Sequence, residues 1–347
     1  MTHMSSKSIV LAAALAVAAV GVGGCAGSKQ QWREPGPPRV PAAAPAAVAT
    51  PIDPALRQRA SQEILSAATS GDQILRTQAM EAIQVGLGAS AADKVVAALD
   101  DPSARVRFAA ALTAGQLQLR PAYEAVLRRA DDPNPHVAIA SLFALHRLGD
   151  TRRSQEIVRF TQHPQPGVRA NAAMVLGLLN EPSAAKVLKP LTTDGDTSVR
   201  IQAAESLWRL NRDQKALEDL VAYSVSQAPD DAIIALLALA GPRDKVVAKH
   251  VGTKLTADYV EITLAATRAL GMLGYDNGYA IAAKTIKTGD SRQKIMAARA
   301  LGAIGRSDAQ PLLAPLLTDA DPSVRLAASV GLLEIGNAAG GAAAASR

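Results

Sequence analysis

The chain reads as an all-α protein, an α-solenoid of about nine two-helix units. Three observations carry this. A 31-residue period runs through the sequence. Apolar residues within each unit recur at helical spacing. The composition is 48% hydrophobic but only 3% aromatic, which suits helices packed closely on Ala, Leu and Val rather than a core built on large aromatic anchors.

The period is seen first in an anchor column: Leu75, Val106, Val137, Val168, Val199, Asp231, Ile262, Gln293 and Val324. A single interval is 32, between Val199 and Asp231, and the others are 31. Four residues after the anchors stand Ala79, Ala110, Ser141, Ala172, Ala203, Ala235, Ala266, Ala297 and Ala328. Eight residues after them stand Ile83, Ala114, Leu145, Leu176, Leu207, Leu239, Leu270, Leu301 and Leu332. Offsets of zero, four and eight share one helical face. Eleven residues before the anchors runs a further apolar column, from Ile64 to Leu313, which belongs to a preceding helix. Gly149, Asn180, Asn211, Gly274, Gly305 and Gly336 recur twelve residues after the anchor. Gly and Asn tolerate the left-handed conformation that ends helices. Asp101-Pro102, Asp132-Pro133 and His163-Pro164 mark the turn into the second helix of a unit.

Each unit is therefore helix A, turn, helix B and a short loop, and the array covers residues 54–338. One helix pair cannot bury its own apolar face, so neighbouring units must stack. The sixth unit departs most, with Asp231-Ala232 at the anchor and Gly241-Pro242 closing its helix. A kink or a binding irregularity is expected there.

The ends are different in kind. Residues 1–24 have a polar start with Lys7, an apolar run over 9–22 and small residues before Cys25. That order describes a secretory signal. Residues 25–53 are rich in proline, which fixes φ and removes a backbone donor. They read as an extended spacer, with a docking peptide around Trp32 as the alternative. Residues 339–347 read as a flexible Ala/Gly tail. The formal net charge is +6, one unit of it from Lys7, and it is spread along the chain. A nucleic-acid binder concentrates its basic residues in a patch or stripe, so no nucleic-acid partner is expected.

Two family resemblances follow. Val22-Gly23-Gly24-Cys25 resembles the bacterial lipobox. That resemblance implies lipidation of Cys25, a membrane held through the lipid anchor, and a place in the bacterial cell envelope facing the periplasm. Ala26 implies the outer membrane rather than the inner one. An uncleaved transmembrane anchor is the alternative. The repeat, with its D-P…V-R-x-x-A-A-x-x-L-G pattern, resembles HEAT repeats of the short kind named after phycobilisome lyases. The resemblance implies that Arg76, Arg107, Arg169, Arg200 and Arg325, with Lys294 in the same column, form a structural ladder with turn aspartates such as Asp101, Asp132, Asp194 and Asp319. A row of anion-binding arginines is the alternative.

It also implies that the B helices line a concave groove. Offsets six and ten then form a candidate protein-binding strip: Leu112, Phe143, Met174, Arg147, Arg209, Arg268 and Arg299. Packing of these side chains between adjacent B helices is the competing reading. The function expected is a tethered scaffold for a protein or peptide partner. No catalytic residue, metal site or cofactor is expected, since the five histidines lack zinc-ligand spacing and no phosphate loop or nucleophile elbow is present. The alternatives are a bilin-lyase-like or other cofactor-handling enzyme, and a self-assembling structural component of the envelope.

Overall fold

The computed structural model describes the backbone of residues 51–345 and the side chains of residues 51–337. Cys25, the signal segment and nearly all of the proline-rich linker lie outside the described residues. Among the described residues there are helices and no strands. Odd-numbered helices are the A helices: α1 (Pro54–Ala67), α3 (Ala92–Ala98), α5 (Tyr123–Arg129), α7 (Glu156–Arg159), α9 (Ala185–Leu188), α11 (Gln214–Tyr223), α13 (Ala248–Gly252), α15 (Tyr279–Thr288) and α17 (Gln310–Leu313). Even-numbered helices are the B helices: α2 (Gln73–Ala82), α4 (Ala104–Gln116), α6 (Pro135–Arg147), α8 (Pro166–Leu179), α10 (Thr197–Asn211), α12 (Pro229–Ala240), α14 (Val260–Met272), α16 (Ser291–Ile304) and α18 (Pro322–Ala345).

The helix starts follow from the turn residues. Asp72, Asn134, Asp196 and Asp290 accept backbone N–H groups of the first turns of α2, α6, α10 and α16. Such caps satisfy donors that have no partner inside the helix. Proline opens α6, α8, α12 and α18, at a position where its missing N–H costs nothing. Several A helices are short and finish as 3-10 turns. Pro190 and Pro315 lie inside two of those turns.

The C-terminal column behaves as its chemistry requires at four positions. Gly149, Asn180, Gly274 and Gly305 all have positive φ. Asn211 does not; Arg212 takes the left-handed position instead, with φ 56°. Gly336 also ends no helix, because α18 continues to Ala345. The backbone of 339–345 thus belongs to that helix rather than to a separate tail. At Gly336 a Cβ would lie 2.7 Å from Ile52 Cγ2 and from an Arg57 nitrogen. The glycine is needed there for close approach.

That contact reveals the main feature of the fold. The solenoid closes on itself. Each B helix packs against the next, and α18 then packs against α1 and the start of the array. Arg325 Nε donates to Glu63 Oε1 at 2.8 Å across this seam. Gly86 stands against Leu333, in a π-helical turn over Ile83–Leu87 that follows α2. Ile52, assigned to the linker on sequence, is buried in the same seam. The result is a ring with the B helices inside and one continuous apolar core.

Candidate functional site

Ring closure changes what the offset-six column faces. Leu112, Phe143 and Met174 are buried, Phe143 completely. They do not form an exposed apolar stripe. The Phe143 ring lies against Gly115 of the preceding B helix, where a Cβ would approach Cε1 to 2.7 Å. An open groove was expected, and a closed interior is found, because the curvature of nine units brings the ends together.

The interior holds a cavity of about 260 Å³ on the ring axis. Its lining includes apolar side chains, Phe108, Leu112, Met174, Leu178 and Met272. It is also densely charged, with Arg209, Arg243, Arg268 and Arg299 together with Glu81, Glu205 and Glu334. Arg209, Arg268 and Arg299 of the expected strip therefore meet in one place, from α10, α14 and α16. Arg147, half-buried at the end of α6, is not among the lining residues.

Two ion pairs organise the charges. Arg299 Nη2 donates to Glu81 Oε1 at 2.8 Å, joining the eighth unit to the first. Arg209 Nη2 donates to Glu205 Oε1 at 2.8 Å, one turn apart on α10. Gly241 leaves room for this second pair. Just after it Arg243, at φ 57°, carries the chain past the cavity edge. The irregular close of the sixth unit thus places a cation at the cavity.

Arg268 and Glu334 remain. Nη1 of Arg268 and Oε2 of Glu334 are buried and without a hydrogen-bond partner. Burial, and then the charge of Arg299, push the Arg268 guanidinium down to about 10. Burial holds the Glu334 carboxyl above its ordinary value despite the pull of Arg299 and Arg268. Arg299 Nε and Gln202 Oε1 are also buried without partners. Native interiors seldom leave such groups unpaired.

The arginine column lies elsewhere, on the edge formed by the A-to-B turns. Arg76 pairs with Asp101 at 2.7 Å, Arg107 with Asp132 at 2.9 Å and Arg169 with Asp194 at 2.7 Å. Lys294 pairs with Asp319 at 3.0 Å. Each pair joins one unit to the next. Arg107 also donates to the carbonyls of Asp101 and Pro102 in the turn before its own helix. Val225 occupies the register position of the carboxylate for Arg200, whose Nε donates to the Tyr223 hydroxyl at 2.7 Å instead. Arg325 makes the last pair across the seam, to Glu63 rather than to a turn aspartate.

His136, in the first turn of α6, is buried. Its Nδ1 lies 2.8 Å from Asn171 Nδ2, and its ring meets Phe108 edge-on. Burial, and secondarily His163, lower its pKa to about 4. Among the described residues no group of three or more His, Cys, Asp or Glu is placed to hold a metal ion. No described helix is long and apolar enough to cross a membrane.

A closed stack of paired helices with an inter-unit ion ladder defines a repeat solenoid. The chain belongs to the HEAT-repeat family, whose model matches residues 123–208, 154–240 and 248–334, more than half of the chain. No curated protein matches it by sequence. Several solved structures resemble it at low identity and with TM-scores under 0.5. The complex of CpcE and CpcF of phycocyanin lyase from Nostoc sp. PCC7120 is 18% identical, covers 74% of this chain and 97% of that chain, and has a TM-score of 0.44. Human deoxyhypusine hydroxylase in complex with glycerol is 20% identical over 72% of this chain and 98% of that chain, with a TM-score of 0.37. Kap121p bound to Nup53p is 15% identical over 77% of this chain and 36% of that chain, with a TM-score of 0.34.

Proposed function

We propose that this protein is an exported lipoprotein, acylated at Cys25, whose HEAT ring is a non-catalytic docking platform for a protein partner in the bacterial cell envelope. The anchor rests on the lipobox-like residues around the sole cysteine of the chain. Two or more acyl chains hold a protein stably at a membrane, where one is marginal. The outer membrane, with the ring facing the periplasm, is the favoured location.

The docking reading rests on one observation. Where the arginine ladder lapses in the sixth and seventh units, apolar side chains are exposed instead. Val225 is 54% exposed and Tyr259 56%, with Val260 beside it. They lie on the A-to-B turns of consecutive units, on the edge that carries ion pairs elsewhere. Asp230 and Asp258 are exposed around them. Exposed apolar surface marks interaction sites, and Asp258, with Asp230 held by Arg292 at 3.2 Å, suits a partner segment that carries a basic residue next to its apolar ones. The occupant moves from the expected inner groove to this edge because the inner face is closed.

A photo-crosslinking residue at Tyr259, with another at Phe143 as the buried control, tests this in the native envelope. A defined protein adduct from position 259 alone is expected. The same adducts from both positions, or none from 259, would sink the reading. The anchor is tested separately. Cys25→Ser is expected to abolish palmitate incorporation and release the protein from the membrane fraction; unchanged labelling would exclude acylation at Cys25.

A further inference from the structure

We propose that the axial cavity is a binding site for a small organic carboxylate with a short apolar body. The site is built rather than incidental. Arg299 is 3% exposed and Gln202 1%; both residues line the cavity, and Arg299 Nε and Gln202 Oε1 are buried behind that lining without a partner. Arg268 Nη1 adds a second orphan donor. Three elements, α10, α14 and α16, converge to place these groups. Buried polar atoms are seldom left without a partner, and a fold keeps such groups only where something offsets the cost.

The charge balance gives the sign of the ligand. Of the four lining arginines, Arg209 and Arg299 are paired to Glu205 and Glu81. Among the described residues Arg243 and Arg268 form no such pair, and Arg268 Nη1 has no hydrogen-bond partner. The remaining carboxyl, Glu334, is held above its ordinary value by burial. An incoming carboxylate therefore meets the guanidinium donors of Arg243 and Arg268. Guanidinium and carboxylate match in planar, two-point geometry. Phe108, Leu112, Met174 and Leu178 also line the cavity and suit a hydrocarbon body.

Full-length protein in a non-ionic detergent tests this by calorimetry and thermal unfolding with three probes: hexanoate, hexanol and inorganic phosphate. Saturable binding of hexanoate, about one per chain, with a rising Tm is expected. Hexanol and phosphate are expected to bind at least ten-fold more weakly. Arg268→Met fills similar space and is expected to fold while losing hexanoate affinity ten-fold or more. Should that variant not fold, Glu334→Gln decides, since removing an unpaired carboxyl from the cavity lining is expected to keep or tighten binding. Wild-type protein that ignores hexanoate overturns the proposal. So does Arg268→Met protein that binds it unchanged, Glu334→Gln protein that loses it, or phosphate that binds as tightly as hexanoate. None of these outcomes bears on the turn-edge docking reading, which uses other residues.

Discussion

Asp132 shows how a single side chain ties the array together. Burial alone would push its carboxyl up, but the Arg107 guanidinium and the Asn134 backbone N–H outweigh that and hold it below the ordinary carboxylate range. The same carboxylate bridges two units. Removing one partner of a buried pair costs about 3–5 kcal/mol where the other charge is left uncompensated, but Arg129 Nη1 stays 3.4 Å from the same carboxylate. Arg107→Ala is therefore expected to lower stability by less, about 1–3 kcal/mol, read from the urea midpoint. Asp132→Asn should cost less, since its side chain keeps an acceptor for Asn134. His136 gives a pH dependence of definite sign. It is neutral in the fold, with its pKa lowered to about 4 from an ordinary 6.5. Its contribution is therefore fully present above pH 6.5 and is lost as pH falls toward 4. The full range is worth about 3 kcal/mol at 1.36 kcal/mol per pKa unit. His136→Gln should remove that part of the acid sensitivity, which urea titrations between pH 4 and 7 would measure.

Among the elements, the B helices were the most legible in the sequence. The anchor, Ala and Leu columns place α2 to α18 because offsets zero, four and eight must share a buried face. Less legible were the ways in which helices touch. Four glycines, Gly115, Gly177, Gly271 and Gly302, stand nine residues after their anchors, and at each a Cβ would collide with the next B helix. This column was present in the sequence as a signal of close helix crossing. Gly115→Ala would place its Cβ 2.8 Å from the Ala144 backbone. Overpacking of this kind costs about 1–3 kcal/mol, and thermal unfolding of the variant should show it. The short A helices were illegible in detail, because apolar spacing does not distinguish an α turn from the 3-10 turns that proline imposes. The fate of the offset-six residues could not be read from any one unit. Each lies on a face whose exposure depends on curvature summed over nine repeats. Arg209, Arg268 and Arg299 were picked out by their register, whereas Glu81, Glu334, Gln202 and Arg243 join them only once the ring brings distant units together.

At the scale of the whole molecule, closure replaces two frayed ends with a seam. In an open array each repeat touches only its neighbours, and terminal repeats are the least held. Here α1 and α18 hold one another, with Arg325–Glu63 and Arg57–Asn337 across the join. Hydrogen exchange should find α1 and the seam part of α18 protected to the same degree as α8 and α10. Exchange of α1 far ahead of the central helices would argue for an open array in solution. Glu63→Ala, which cuts the seam pair but leaves the core intact, is expected to raise exchange at both ends together. The Glu81–Arg299 pair spans the ring as well, so loosening the seam should also be felt in the axial cavity. A ring of this kind also frees the spatial order of its units from their order along the backbone. Ile52 touches Gly336, so a short peptide could join those positions and the chain could be cut at another inter-unit loop, such as the one holding Gly149. Such a circular permutant should reach the same arrangement of helices, with its tether leaving from a different point on the circumference.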